Sequence, residues 1–308
     1  MIENLEKFLI LTHAPNQSEP WFELEYVCTE SIHKFIEFVN TLNNIVHLNQ
    51  YRQPILFRGQ ANSKWKLEPK IYRLIGKLPI KEALGIEFDS IIHFKQVASM
   101  FLAPQLVPKG NDLGAWLALM QQYGAPTRML DWTTSFNVAL YFAVTDKPID
   151  TPCAVWFFGV GPLLDDMKKY EEPSPTYREE ILTKRDNFVE YGCSKARQKI
   201  ATYDIPTKSE RMIVQQSIFT YCEQLFCDHA DLIGNSLWNR HKNNKAIYPL
   251  IKIVISPPDK HKIQVYLNKL NITAATLFPG IDGIGKSISE LIQVYCDVFH
   301  EEQKSGDM

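Results

Sequence analysis

The first candidate for chemistry is an arginine at the end of a short apolar run. Residues 54–57 read Pro-Ile-Leu-Phe, which predicts a strand, and Arg58, Gly59 and Gln60 follow directly. A partly desolvated guanidinium presents a fixed fork of donors that suits a phosphate or a carboxylate. A glycine lets a ligand or a backbone come close. The alternative is an arginine that binds the carbonyls of a turn, and these local residues alone favour it.

The second candidate is a polar segment between two apolar helices, residues 121–135. Capping of the following helix would use two of its carboxylate and hydroxyl groups. That leaves Arg128, Asp131 and Trp132 unexplained beside a buried stretch. Loops that carry this much polar chemistry next to a core are often functional. The segment also supplies Gln121, Tyr123, Thr133, Thr134 and Ser135.

The third candidate is a glycine-rich segment near the C terminus. Residues 280–287 read G-x-x-x-x-G-K-S, the letters of a phosphate-binding loop. Only residues 288–308 follow, too few for the strands and the metal-binding aspartate that such a fold places downstream. We therefore expect a turn in which Lys286 faces solvent and Ser287 caps the final helix.

The composition is that of a globular protein. Hydrophobic residues make up 45% of the 308 residues, which excludes a disordered chain. A net charge of −2 argues against a generally basic nucleic-acid binder. Six cysteines without a C-x-x-C pair argue against a disulfide scaffold or a zinc ribbon, so no metal is expected. No secretory signal and no apolar run of roughly 20 residues are present, which predicts a soluble, cytoplasmic protein without a membrane partner.

The elements that must position these candidates follow from the apolar spacing. Few short strands among long helices favour the α+β class, as one domain with a central mixed or antiparallel sheet flanked by helices. The predicted organisation is a helical lead-in at 1–50, a main domain at 51–300 and a polar tail at 301–308. Predicted helices span 32–45, 82–102, 112–123, 138–143, 259–270 and 287–299, and predicted strands span 54–57, 154–160, 212–214, 217–221, 248–255 and 274–278.

In their order along the chain, these motifs resemble the FRG domain family. The family is named after a Phe-Arg-Gly motif, here residues 57–59, which a Gln and a Trp-x-Leu-x-Pro pattern follow, here residues 60 and 65–69. Its Q-H-Y-G-x-P-T-R-L-L-D-W-T block is similar to residues 121–133, and an A-L-Y-F-A helix follows at 139–143. The later Q-x-x-x-F-T and L-F-P-x-[LI]-D-G segments are similar to residues 215–220 and 277–283. One departure is Gln122, where the family usually has a histidine.

A weaker resemblance links the chain to ADP-ribosyltransferases of the arginine–serine–glutamate class. It implies an ADP-ribosyltransferase-like fold, NAD as cofactor, and no metal. Arg58 and Gly59 are similar to the first motif of that class, and Thr133-Thr134-Ser135 are similar to the second. The third motif, a glutamate, would lie in the segment of residues 210–220. Glu210 and Glu223 flank the strand there, and the alternative is that Gln215 or Gln216 takes the place of the acid, where a glutamine could not act as a base.

The resemblance implies a role for each motif. Arg58 would hold phosphates or ribose, with Gly59, Gln60, Tyr123, Arg128, Asp131, Trp132 and Thr133 as further cofactor-binding residues. The hydroxyls of Thr134 and Ser135 would brace the nicotinamide pocket, and an acid would stabilise the positive charge that develops on the ribose.

Two functions are therefore expected. One is an ADP-ribosyltransferase or NAD-cleaving enzyme acting on a protein or nucleic-acid target. The other is a non-catalytic module that binds a nucleotide or a peptide. A role in bacterial defence against phage, or as a toxin, is compatible with both, although no residue indicates it. Both hypotheses require Arg58 and the loop at Asp131–Ser135 to line a single pocket.

Overall fold

The structure is a computed structural model that describes residues 6–27, 32–50, 54–145, 150–163, 182–193, 200–244 and 247–306. Eight strands form one mixed sheet in the order β1-β2-β8-β5-β3-β4-β7-β6. Strands β2 and β8 run parallel, and all the other neighbours run antiparallel. The strands are β1 (Leu9–His13), β2 (Phe22–Tyr26), β3 (Ile55–Gln60), β4 (Met129–Thr133), β5 (Cys153–Gly159), β6 (Ile200–Tyr203), β7 (Ser217–Cys222) and β8 (Ile251–Ile255).

Helices cover this sheet, which confirms the predicted single α+β domain. The first five are α1 (Ile32–Gln50), α2 (Lys70–Ile75), α3 (Ile80–Ala98), α4 (Leu113–Gln122) and α5 (Phe136–Thr145). The others are α6 (Arg185–Cys193), α7 (Glu210–Val214), α8 (His229–Asn243), α9 (Pro257–Lys269), α10 (Ala274–Leu277) and α11 (Ile281–Gly306).

Strand β5 forms the centre of the sheet because its sequence is apolar throughout. All seven of its residues are buried, as expected for a strand with helices on both faces. Helices α1, α5 and α9 pack on one face against Phe57, Val155 and Ile253. Helix α8 packs on the other face against Leu56, Trp132 and Trp156. A separate cluster joins α2, α3, α4 and α6 to the strands β4, β6 and β7.

Two predicted strands are helices. Residues 212–214 lie in α7, which begins after Ser209, whose hydroxyl accepts a hydrogen bond from the Met212 amide. Residues 274–278 lie largely in α10, where Thr273 and Thr276 form a reciprocal capping box. In both cases a hydroxyl cap at the N terminus outweighs a short apolar run with strand character.

The glycine-rich segment also differs from its prediction. Helix α11 begins at Ile281, so Ser287 lies inside the helix rather than capping it. Residues 281–287 are therefore helical, which is not the open loop that a phosphate-binding motif requires. Lys286 does not simply face solvent: its ammonium lies 4.7 Å from the ring centre of Phe278 and 5.6 Å from that of Tyr141.

The predicted helical lead-in at 1–50 contains two strands as well as helix α1. Strands β1 and β2, which the sequence did not predict, extend the sheet beyond β8. Leu24 and Tyr26 of β2 are buried in the same cluster as α1, so this segment packs against the main sheet. In the described part of the chain, no helix is both long and apolar enough to cross a membrane.

Candidate functional site

The sheet is split between β3 and β4. The two strands are described in full, yet they pair only where Phe57 faces Thr133. Their outer neighbours are in continuous register: β3 pairs with β5 from Ile55 to Gln60, and β4 pairs with β7 from Met129 to Thr133. The two strands therefore diverge beyond Phe57, and the backbone groups facing the gap need other partners.

A cavity of about 240 Å³ opens at this split. Strands β3 and β4 form its floor, and residues from α4, α5 and α7 form its walls. Its charged lining residues are Arg58, Asp131 and Arg211. The remaining lining residues are Phe57, Gly59, Gln121, Gln122, Trp132, Thr133, Ala139, Phe142, Met212, Gln215, Ser217 and Phe219. The structure thus brings the arginine of the first motif and the Asp131–Thr133 part of the second into one pocket.

Gly59 sets the distance between the floor and α5. A Cβ atom at this position would lie 2.0 Å from the carbonyl oxygen of Ala139 and 2.6 Å from the amide nitrogen of Ala143. Both atoms belong to the backbone of α5, which cannot move aside independently of the helix. The glycine in the Phe-Arg-Gly motif is therefore explained by helix packing, and it does not need to contact a ligand.

Arg58 bridges the split. Its Nη1 atom donates a hydrogen bond of 2.6 Å to the backbone carbonyl of Asp131, and it lies 3.9 Å from the Asp131 carboxylate. That carboxylate also accepts a hydrogen bond of 2.7 Å from Gln121 Nε2, while Gln121 Oε1 accepts one from Thr127. Arg58, Asp131 and Gln121 are thus held in fixed positions at the cavity.

Gln60, expected to bind a cofactor, does not line the cavity. Its Oε1 atom accepts a hydrogen bond of 2.8 Å from Trp156 Nε1, and its Nε2 atom donates one of 3.0 Å to the carbonyl of Lys66. The side chain is buried, so both polar ends need these partners. Gln60 therefore fixes the segment after β3 against β5.

Arg128, also expected to bind a cofactor, instead holds parts of the fold together. It is buried and forms a two-pronged ion pair with Glu87 of α3, with Nε 2.8 Å from Glu87 Oε1 and Nη2 bonded to Oε2. Its Nη1 atom bonds to the carbonyl of Glu223. Burial alone would lower the pKa of Arg128, but the Glu87 carboxylate raises it above its ordinary value. The guanidinium is fully engaged outside the cavity, and the sequence did not reveal Glu87 as its partner.

The hydroxyls of the second motif position the backbone. Thr134 Oγ1 donates a hydrogen bond of 2.7 Å to Gln216 Oε1, and the Thr134 amide bonds to the Gln216 carbonyl. Ser135 Oγ accepts from the amide of Val138 at 3.4 Å, in the first turn of α5. Thr134 and Ser135 therefore join β4 to α5 and to the start of β7, and neither lines the cavity.

Of the candidates for the third motif, Gln215 lies at the cavity and Glu210 does not. Glu210 is exposed in the first turn of α7 and does not line the cavity. Gln215 does line it, but its Nε2 atom donates a hydrogen bond of 2.9 Å to the carbonyl of Leu277. Tyr123 is 53% exposed and lies outside the lining. Asp131 is the carboxylate among the lining residues, all of which lie in the described part of the chain.

A buried hydrogen-bond chain lies behind the floor. Trp132 Nε1 donates to Thr220 Oγ1 at 2.8 Å, and that hydroxyl lies 3.0 Å from His229 Nδ1. The indole can only donate, whereas the Thr220 hydroxyl can either donate to Nδ1 or accept from it, so the contact fits both tautomers of His229. Burial, with a contribution from the charge of Arg58, lowers the pKa of His229 to about 3.

His229 should therefore make stability depend on pH. Its folded pKa lies below the ordinary value of 6.5, so the unfolded chain binds a proton between these values that the folded protein does not. The free energy of unfolding should fall by up to about 1.4 kcal/mol per pH unit as pH drops from 6 to 4. The His229→Asn variant should lose this one-proton slope in urea unfolding, whereas His93→Asn, at an exposed position on α3, should keep it. Equal slopes in both variants would contradict this assignment.

In the described residues, no three His, Cys, Asp or Glu side chains come together as a set of metal ligands. Cys222 and His229 are both buried.

Comparison with known proteins gives one family match. Residues 53–151 match the family model of the FRG domain. No curated protein and no solved structure matches the chain. The matched segment contains Arg58, Gly59 and the whole Gln121–Ser135 segment, so it supports the resemblance to the FRG family for the part of the chain that supplies most of the cavity.

Proposed function

We propose that the cavity at the split between β3 and β4 binds NAD and cleaves its nicotinamide–ribose bond. The observation that carries this proposal is the pairing of Arg58 with Asp131 inside a cavity, where a cation and a carboxylate lie 3.9 Å apart. An arginine fork suits the phosphates of a dinucleotide, and a carboxylate suits the cationic ribose of the transition state. The weaker resemblance to ADP-ribosyltransferases implies the same two groups, an arginine for the phosphates and an acid for the ribose.

Asp131 replaces Glu210 and Gln215 as the proposed acid. Glu210 lies outside the cavity, and a glutamine carries no negative charge. In the proposed reaction the bond between C1′ of the ribose and the nicotinamide nitrogen breaks, and its electron pair leaves with the nicotinamide. Asp131 stabilises the positive charge that remains on the sugar. The oxygen of water or of an acceptor group then bonds to C1′ and releases its proton.

The dimensions of the cavity limit how NAD would lie. Its volume of about 240 Å³ is below the roughly 300–1,000 Å³ of typical ligand pockets. We propose that it encloses the nicotinamide riboside half, with the phosphates at Arg58 and the adenosine along the surface. The aromatic side chains of Phe142 and Phe219 would flank the ring, and the amide of Gln122 would face the carboxamide.

The test is the release of nicotinamide from NAD by the purified protein. We expect release by the wild type and a loss of about 100-fold or more in kcat for Asp131→Asn, the size of effect seen when one charge-stabilising group is removed. Arg58→Ala should weaken substrate use, whereas Arg73→Ala, an exposed arginine on α2, should not. Absence of release by the wild type, with and without protein or nucleic-acid acceptors, would contradict the proposed reaction.

A second candidate is a module that binds a nucleotide without turnover. One observation favours it: the Asp131 carboxylate is already engaged by Gln121 and lies beside Arg58, so it is not held apart as a base. In that case NAD and ADP should bind in calorimetry with similar affinity, and both should be recovered unchanged. Tight binding with no nicotinamide release decides for this candidate.

A further inference from the structure

We propose that Arg211 and Arg58 form a two-arginine clamp for the phosphate groups of the ligand, one from the wall of the cavity and one from its floor. This inference rests on the proposed function in taking a nucleotide as the ligand. Arg58 comes from β3 in the floor, and Arg211 comes from the short helix α7 in the wall. No sequence motif singled out Arg211, because it becomes a site residue only through the packing of α7.

Arg211 is oriented by two neighbours. Its Nη1 atom donates a hydrogen bond of 3.1 Å to the carbonyl of Gln122, and its guanidinium lies 4.6 Å from the ring centre of Phe278. The same ring has the ammonium of Lys286 at 4.7 Å. Two cations therefore share one aromatic ring beside the cavity, an arrangement that a nearby anion would stabilise.

The charge balance of the lining points to an anion. Two arginines face one aspartate, so the charged groups of the lining carry a net positive charge. Partial burial lowers the pKa of Arg211, and the charge of Asp131 acts in the opposite direction. Arg211 thus depends on negative charge nearby to offset its desolvation.

Asp131 alone does not fill this role. Its carboxylate is 3.9 Å from Arg58 Nη1 and is shared with Gln121, so it does not form a close two-pronged pair with either arginine. Two linked phosphates carry several anionic oxygens and can pair with both guanidiniums at once. We therefore assign the clamp to a pyrophosphate or a nucleoside diphosphate, and not to a single carboxylate.

Gln122 adds an acceptor at the same place. Its Oε1 atom is enclosed and has no hydrogen-bond partner in the described part of the chain. A buried acceptor without a partner costs free energy, which a donor on the ligand would recover. The carboxamide of the nicotinamide or a ribose hydroxyl would supply that donor.

The experiment is a calorimetric titration with ADP, pyrophosphate and adenosine. For Arg211→Gln we expect ADP affinity to fall by about 30-fold or more, the lower end for losing one partner of a charged hydrogen-bonded pair. Pyrophosphate should lose affinity in parallel, and adenosine binding should not change. Arg211→Lys keeps the charge but not the fork, so it should lie between wild type and Arg211→Gln and serves as a second variant if the glutamine disturbs folding. Arg73→Gln removes one exposed positive charge outside the cavity lining and is the control.

The outcomes separate this inference from the proposed reaction. ADP binding that depends on Arg211, together with no cleavage of NAD, supports the clamp and contradicts the reaction. Cleavage of NAD that is unchanged in Arg211→Gln, with ADP affinity also unchanged, contradicts the clamp and leaves the reaction standing. Failure of the wild type to bind either ADP or pyrophosphate would overturn the clamp.

Discussion

Replacing Gly59 with alanine is expected to destabilise the protein by about 3 kcal/mol or more, at the upper end of the cost of overpacking a core. The added methyl group would lie 2.0 Å from the carbonyl oxygen of Ala139, on the backbone of α5. That helix would have to move away from the floor of the cavity, which also contains Phe57. The measurement is the free energy of unfolding in urea.

The control is Gly285→Ala in α11, a helical glycine with open space around the added atom. There the substitution should stabilise the protein by about 0.5–1 kcal/mol, because alanine favours the helix. The packing explanation for the Phe-Arg-Gly motif would fail if Gly59→Ala unfolded within about 0.5 kcal/mol of the wild type.

Breaking the buried pair between Arg128 and Glu87 should have a comparable effect. Both side chains are almost completely buried, so Arg128→Met would leave the Glu87 carboxylate without its cation inside the protein. Losing one partner of a buried pair costs about 3–5 kcal/mol. The double variant Arg128→Met, Glu87→Leu should recover most of that loss, because it removes the uncompensated charge.

Urea unfolding of the two single variants and the double variant measures this coupling. The matched control is the exposed pair of Arg185 and Asp89, 3.5 Å apart, where Arg185→Met should cost no more than about 1 kcal/mol. If the double variant were as unstable as the sum of the single variants, the two residues would not act as a pair. Nicotinamide release by the double variant would show further that Arg128 is not needed to bind the cofactor.

Long apolar patterns predicted the central elements of the fold. The continuous apolar sequence of β5 and the helical spacing of α1 and α9 need no knowledge of distant contacts. The predicted helix at 112–123 begins with a local cap, because the Asp112 carboxylate accepts a hydrogen bond of 3.1 Å from the amide of Ala115. These features are local, which is why the sequence reveals them.

The short elements could not be predicted in the same way. Helix α7 has five residues, and of these only Met212 is buried, so it shows no helical spacing. Strand β1 buries only Leu9 and exposes the next three residues, so it lacks clear alternation. Such elements are held by caps and by neighbouring strands more than by their own pattern.

The site likewise contains residues that local sequence patterns identify and residues that they do not. Arg58, Asp131, Trp132 and Thr133 could be selected because motif residues sit at the ends of apolar elements. Their meeting at a split in the sheet depends on the pairing of β3 with β5 and of β4 with β7, which no local pattern shows. Arg211 joins the site from a distant segment, and nothing in its own sequence surroundings identifies it.

The central claim is that Arg58 holds NAD at the split between β3 and β4. A calorimetric titration of NAD into the wild type, Arg58→Lys and Arg58→Ala tests it most directly, with thermal unfolding to show that each variant is folded. We predict saturable one-site binding to the wild type. Affinity should fall for Arg58→Lys, which keeps the charge without the fork, and should fall at least about 30-fold for Arg58→Ala. Equal affinity for NAD in the wild type and Arg58→Ala, or no binding to the wild type at all, would contradict it.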